Sequence, residues 1–188
     1  MQFDSVYILS QVFVVIAFLL IASTYLNTNR ERQLISVISG NVLFALSMGL
    51  LGGWTGVAMC IIAIARDIAS KIIYANSPPQ TRLKNTHLDY CLLVLWVSLL
   101  SVATYFTYDG FLSLFSYFAL LAFTVSIWQK NQLLYRILGV VTRFCWGIYM
   151  FGIMNIAGVV TETLLFIIVI VGLIHYIKEQ KKSLASDV

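Results

Sequence analysis

Three ionisable residues stand where a charge is expensive to keep. Arg66, Arg143 and Glu162 each lie inside a long apolar run, about 11, 9 and 7 residues from its start, and at about 1.5 Å of helical rise per residue each is roughly 10 Å or more from the nearer end. A charged side chain at such a depth in lipid costs a few kcal/mol unless it is paired or hydrated, so it faces a bundle interior or an aqueous cavity. The chemistry open to these residues is binding rather than bond-making. Arg143 can anchor an anionic or hydroxyl group, and Glu162 can act as its charge partner or take up a coupling proton. The two lie on segments joined by a short break, so they can also pair directly. The competing assignment is an internal ion pair that only locks helices together. Asp67 follows Arg66 and can reach Lys71 one turn on, and the long Arg66 stem can snorkel toward an interface.

Helical spacing gathers neighbours around these charges. Arg143, Trp146 and Tyr149 recur every three residues, as do Asn41, Phe44 and Ser47, which places each trio on one helix face. Two such stripes facing each other make a cavity with an aromatic wall, suited to a small ring-bearing or hydroxylated solute; the alternative is aromatic packing in a helix bundle. Trp146 would be a stacking wall, and Asn41 carries an amide that needs partners in hydrocarbon. The candidate substrate-binding residues are therefore Asn41, Arg66, Arg143, Trp146, Tyr149 and Glu162. No catalytic or metal-binding residue is assigned. Cys60, Cys91 and Cys145 lack zinc-site spacing and lie in apolar runs as packing residues. His87 and His175 have no metal-ligand spacing. There is no phosphate loop, triad or HExxH-like pair, and no loop large enough for a soluble active site, so neither an enzyme nor a cofactor is expected.

The elements that must hold these residues follow from composition. Of 188 residues 60% are apolar and 11% charged, against about 25% charged in soluble domains. At roughly 20 apolar residues per crossing the length fits about seven helices with short loops and no extramembrane domain. The apolar runs are 6–26, 34–51, 55–75, 89–106, 111–128, 134–151 and 155–177. Only the Asn76–Leu88 break is long, and it holds both prolines, Pro78 and Pro79. The first run has no basic residue before it and no cleavage site after it, so it is expected to stay as a transmembrane helix.

Charge gives an orientation. With the amino terminus periplasmic, one side of the membrane receives Arg30, Arg32, Lys71, Arg82, Lys84, Lys130, Arg136, Lys178, Lys181 and Lys182, ten of the twelve basic residues, while the other shows Asp4 and Asp109. Cytoplasmic loops collect Lys and Arg, so the carboxyl terminus is cytoplasmic. This accounts for the net charge of +4 without nucleic acid, and Lys178–Lys182 adds contact with anionic lipid. Trp54, Tyr105 and Tyr108 fall at the opposite interface, as an aromatic belt would.

The chain also resembles itself. At an offset of 102 residues, 41–60 lies over 143–162, matching Met48 to Met150, Gly56 to Gly158 and Val57 to Val159, with Phe44 opposite Trp146. One helix separates the copies, so they share one orientation and form a parallel repeat about an axis along the membrane normal. The fold expected is all-α and integral to the membrane, with a 3+1+3 plan: a three-helix bundle over 1–76, a loop and linker helix over 77–110, and a second bundle with its tail over 111–188.

The stretch Ile16-Ala17-Phe18 followed by Asn29-Arg30-Glu31-Arg32, the run Gly56 to Arg66, and Cys145-Trp146 followed by Gly158 and Glu162 resemble the YgjV-type bacterial inner-membrane proteins over most of the chain. That resemblance implies residence in a bacterial inner membrane and carries no activity with it. The family in turn looks like a distant member of the SWEET, PQ-loop and PnuC transporter group, which implies a SWEET-like three-one-three plan and movement of small polar solutes. No apolar segment here contains proline, so hinge motion would fall to glycines such as Gly40, Gly49, Gly139 and Gly147. The function expected is a facilitator or transporter of a small polar solute, in contact with membrane lipid and with room for a homo-oligomer. The alternatives are a receptor or assembly protein using the same bundle, and an ion or proton channel.

Overall fold

The computed structural model describes residues 4–26, 30–74, 87–127 and 132–186. They form seven helices: α1 (Ser5–Leu26), α2 (Arg30–Leu50), α3 (Trp54–Tyr74), α4 (His87–Thr107), α5 (Leu112–Ile127), α6 (Gln132–Gly152) and α7 (Ile156–Ser186). No strand occurs among the described residues. Each helix coincides with one apolar run to within a few residues, apart from two extensions. α2 begins at Arg30, and α7 continues past its apolar run to Ser186, because Arg, Glu, Gln, Lys and Ala are all strong helix formers that need no lipid to stay helical. The Pro78-Pro79 break and the proposed reach of Asp67 to the Lys71 side chain lie outside the described residues.

The distribution of side chains is the reverse of a water-soluble bundle. Ser10, Ser47, Thr55, Arg66, Ser113, Thr124, Asn155 and Glu162 are buried, while Leu19, Ile72, Val94, Phe144, Phe151 and Val171 are well exposed. Hydrocarbon surroundings favour that arrangement, since an apolar exterior costs nothing in lipid and polar groups must find partners inside. Among the described residues, four helices have spans long and apolar enough to cross a membrane: Ser5–Ser23, Tyr90–Thr107, Leu133–Gly152 and Ile156–Lys178. The apolar stretches of α2 and α5, Ile35–Leu50 and Leu112–Ser126, are shorter, and α3 carries Arg66 and Asp67 in its middle.

Packing runs α1 on α2, α2 on α3, α5 on α6 and α6 on α7; α3 meets α5, α1 meets α7, and α4 lies against α3 and α5. Methionines and aromatics fill the centre, where Val14, Ala17, Phe44, Met48, Cys60, Tyr149 and Met150 form one buried cluster.

The α2–α3 and α6–α7 turns sit at the same end of the bundle and are built alike. In the first, Gly53 N donates to Met48 O at 2.8 Å and Val57 N to Gly53 O at 3.1 Å; in the second, Asn155 N donates to Met150 O at 2.9 Å and Val159 N to Asn155 O at 2.9 Å. Both turns need a left-handed residue, supplied by Gly52 (φ 76°) and by Met154 (φ 58°), of which only glycine adopts that conformation without steric cost. Each pair of equivalents differs by 102 in residue number.

Candidate functional site

Below those turns the helices enclose a cavity of about 270 Å³, larger than the ~150 Å³ void that accepts a benzene ring, and every helix except α4 lines it. α1 gives Ile21; α2 gives Val37, Asn41, Phe44 and Met48; α3 gives Met59, Cys60, Ala63 and Arg66; α5 gives Leu120 and Phe123; α6 gives Tyr135, Thr142, Arg143, Trp146 and Met150; α7 gives Glu162. Five of the sequence candidates, Asn41, Arg66, Arg143, Trp146 and Glu162, therefore meet on one chamber. Tyr149, the sixth, is not among the lining residues. It packs edge-on to Trp146, with ring centroids 5.8 Å apart, and its hydroxyl is occupied elsewhere.

Arg66 is fully buried. Its Nε and Nη2 both donate to Asp67 Oδ1, at 3.0 and 2.8 Å, and Nη1 donates to Thr124 Oγ1 on α5 at 2.9 Å. Its guanidinium carbon lies 4.9 Å from the centroid of the Phe123 ring. Those bonds use three of the five N–H groups that a guanidinium carries, which leaves one on each Nη of a side chain that lines the cavity.

Arg143 and Glu162 meet as the short α6–α7 connection allows, although the pairing is loose. A single nitrogen, Nη1, straddles both carboxylate oxygens at 3.3 and 3.2 Å, longer than the roughly 2.7–2.9 Å of a tight charge-assisted bond and without the two-pronged fork that makes such pairs strong. The Arg143 side chain keeps 19% of its surface accessible and Glu162 only 3%. The cavity is thus lined by two guanidinium groups and one carboxylate, with indole, phenyl and thioether surface between them. Such a surface can hold a small solute by hydrogen bonds and charge at one end and ring contact at the other. Among the described residues no group of three or more His, Cys, Asp or Glu side chains comes together.

The end of the bundle above the cavity is tied by neutral hydrogen bonds. Gly53 stands where α3 needs a cap and offers no side chain, so the orphan N–H of Gly56 donates instead to Tyr149 Oη at 2.9 Å. At the equivalent place Asn155 caps α7 itself, accepting from Gly158 N at 2.9 Å, and its Nδ2 donates to Ser47 Oγ at 3.0 Å. Further out, Thr55 hydrogen-bonds Ser113 at 3.0 Å, and Ala157 N donates to Gln11 Oε1 at 2.7 Å. Tyr149 does not reveal its role by sequence, because its partner is a backbone N–H on a distant helix; the Asn155 cap is local to Gly158, and only its bond to Ser47 is hidden in the same way.

A family model for bacterial inner membrane proteins matches residues 8–180. The chain belongs to the Imp-YgjV family. It is a protein of the bacterial inner membrane, in keeping with its exposed apolar surface. No curated protein and no solved structure matches the chain.

Proposed function

We propose that this Imp-YgjV protein crosses the inner membrane seven times and carries a small polar solute through the central cavity, by rocking of two three-helix units. The units are 1–76 and 111–188, with 77–110 holding the linker helix α4. The amino terminus is periplasmic and the carboxyl terminus cytoplasmic, on the strength of the basic residues gathered at one end.

The observation that carries this reading is the pairing of the cavity lining. Ile21 and Phe123, Asn41 and Arg143, Phe44 and Trp146, Met48 and Met150, and Cys60 and Glu162 all line the chamber, and each pair differs by 102 in residue number. Two of the bonds between units pair with two others in the same way, while Arg66 with Thr124 and Tyr7 with Met154 have no counterpart among the described residues. Ser47 with Asn155 corresponds to Tyr149 with the α3 cap at Gly53, and Thr55 with Ser113 corresponds to Ala157 with Gln11. So do the helix contacts, α3 on α5 matching α7 on α1. A chamber on the axis of such a repeat lies at the interface that rocking opens, which is where parallel-repeat transporters hold their solutes. In this reading Arg143 and Arg66 anchor the polar group, Asn41 hydrogen-bonds, Trp146 and Phe44 form the ring wall, and Glu162 is the charge partner or proton site.

The test is uptake by purified protein in liposomes, against a panel of radiolabelled carboxylates, sugars and nucleobases. At least one solute should be taken up, and Arg143→Ala and Glu162→Gln should each abolish that uptake while the proteins still purify as folded species. The reading is lost when no solute moves, or when both variants transport at the parent rate.

A further inference from the structure

A second cavity, of about 260 Å³, lies within the α5–α6–α7 bundle toward its basic end. It shares Phe123, Tyr135, Thr142 and Arg143 with the central cavity, so the two chambers meet at those side chains. Its other notable wall residue is Arg136, one turn into α6. Arg136 precedes Arg143 by seven residues, two helical turns, which sets the two positions on one helix face about 10 Å apart along the axis.

Arg136 is held tightly and incompletely satisfied. Its Nη1 donates to Gly172 O on α7 at 3.1 Å, and its guanidinium carbon stands 5.0 Å from the centroid of the Tyr176 ring. The Nε–H is buried and has no acceptor among the described residues. A buried donor on a cation with no acceptor is one of the more expensive features a folded chain can carry. Gly172 makes the arrangement sterically feasible, because a Cβ at that position would lie 3.2 Å from Nη1. Among the described residues, no acidic side chain lines this cavity.

We infer that the second chamber is a binding site for an oxyanion, the carboxylate or phosphate of a small solute, held by the guanidinium of Arg136 with Arg143 as the second cation. A guanidinium is a planar, permanently charged donor group suited to the oxygens of such a group. As a waiting position for the central cavity the chamber rests on the transport reading above, and it gives that reading a substrate class, a small organic or inorganic anion. As a binding site it stands alone. An anionic lipid headgroup presents the same oxygens, so the experiment must separate the two sources.

Purified protein in phosphatidylcholine nanodiscs is titrated with sodium phosphate and with sodium benzoate at constant ionic strength, with sodium chloride as reference, and thermal unfolding is followed. A ligand bound by the folded state raises the melting temperature saturably. The expected result is such a rise with at least one of the two oxyanions and none with chloride. Arg136→Gln should weaken the apparent affinity about tenfold or more, as loss of a charged hydrogen-bonding group does, and Arg136→Lys should recover part of it. If Arg136→Gln does not fold, Gly172→Ala, which keeps the charge but pushes on the guanidinium, must weaken binding. The inference is overturned by no saturable response to either anion, by unchanged affinity in these variants, or by stabilisation that appears only when phosphatidylglycerol replaces phosphatidylcholine. Binding that persists without any solute uptake would instead remove the transport reading and leave the oxyanion site in place.

Discussion

Replacing Arg143 by Met should cost more folding free energy than replacing Glu162 by Gln, although both changes delete the same ion pair. The asymmetry comes from what each leaves behind. With Arg143 gone, a carboxylate remains on a side chain that is only 3% accessible, and stripping a buried charge of its partner costs about 3–5 kcal/mol. With Glu162 changed to Gln, the guanidinium that remains keeps 19% of its surface accessible and faces an amide oxygen that still accepts a hydrogen bond. The loss there is about 1.5–3 kcal/mol, the scale of one hydrogen bond to a charged group. Making both changes removes every uncompensated charge, so Arg143→Met with Glu162→Gln should be more stable than Arg143→Met alone, with a coupling of about 2–3 kcal/mol. The measurement is equilibrium unfolding of the purified proteins in mild detergent by titration with sodium dodecyl sulfate. Equal losses for the two single variants, or simple additivity in the double, would falsify the assignment of Glu162 as the desolvated partner.

Tyr149→Phe should destabilise the protein by about 1–3 kcal/mol, because the buried Gly56 N–H loses its acceptor; a loss below about 0.5 kcal/mol in the same unfolding assay counts against that cap. Met154→Gly should raise the melting temperature by removing the strain of a side chain at φ 58°, worth up to about 1 kcal/mol after the entropy that glycine adds to the unfolded chain, and a lower melting temperature would refute it. An alkaline phosphatase reporter fused at the carboxyl terminus should be inactive in intact cells and a fluorescent protein there should be bright; the opposite pair of results would reverse the proposed orientation.

Much of the architecture is legible in the sequence because lipid punishes exposed polar backbone so heavily that each helix must announce itself as an apolar run. The Arg143–Glu162 pair is legible for a related reason, since a short connection leaves two midspan charges few other partners. The Arg66–Asp67 pair is not. Adjacent residues on a helix point in different directions, and the bond forms only because the long arginine side chain turns back on its neighbour while Thr124 holds its far end. Tyr149 shares the spacing of Arg143 and Trp146, yet its hydroxyl serves the α3 terminus, a consequence of a glycine standing where a capping side chain would otherwise be. Arg136 reads in sequence as an interfacial topology marker. Its place against a bare stretch of α7 depends on Gly172 lying opposite, 36 residues away in the chain, and no periodicity within α6 carries that information.

The kinds of bond that join the proposed units bear on whether rocking is feasible. Among the described residues each ion pair lies within one unit, Arg66 with Asp67 on α3 and Arg143 on α6 with Glu162 on α7; Arg66 also bonds across, donating to Thr124 on α5. The bonds that cross between units at the tied end are neutral, among them those of Tyr7, Ser47, Thr55, Tyr149 and Gln11, and exchanging such a bond for water costs about 1 kcal/mol. Exchanging the Arg66–Thr124 bond costs about 1.5–3 kcal/mol, the scale of a hydrogen bond to a charged group, whereas an ion pair across the interface would strand a buried ion at about 3–5 kcal/mol on each separation. The differences between the two proposed units fit the same logic. Asn41 stands opposite Arg143 and Cys60 opposite Glu162, so the second unit carries a charge pair where the first carries neutral groups. A strictly duplicated cavity would set like charges against each other, whereas this one keeps Arg143 and Glu162 together within one proposed unit, so that in the proposed transport cycle the pair would travel as one.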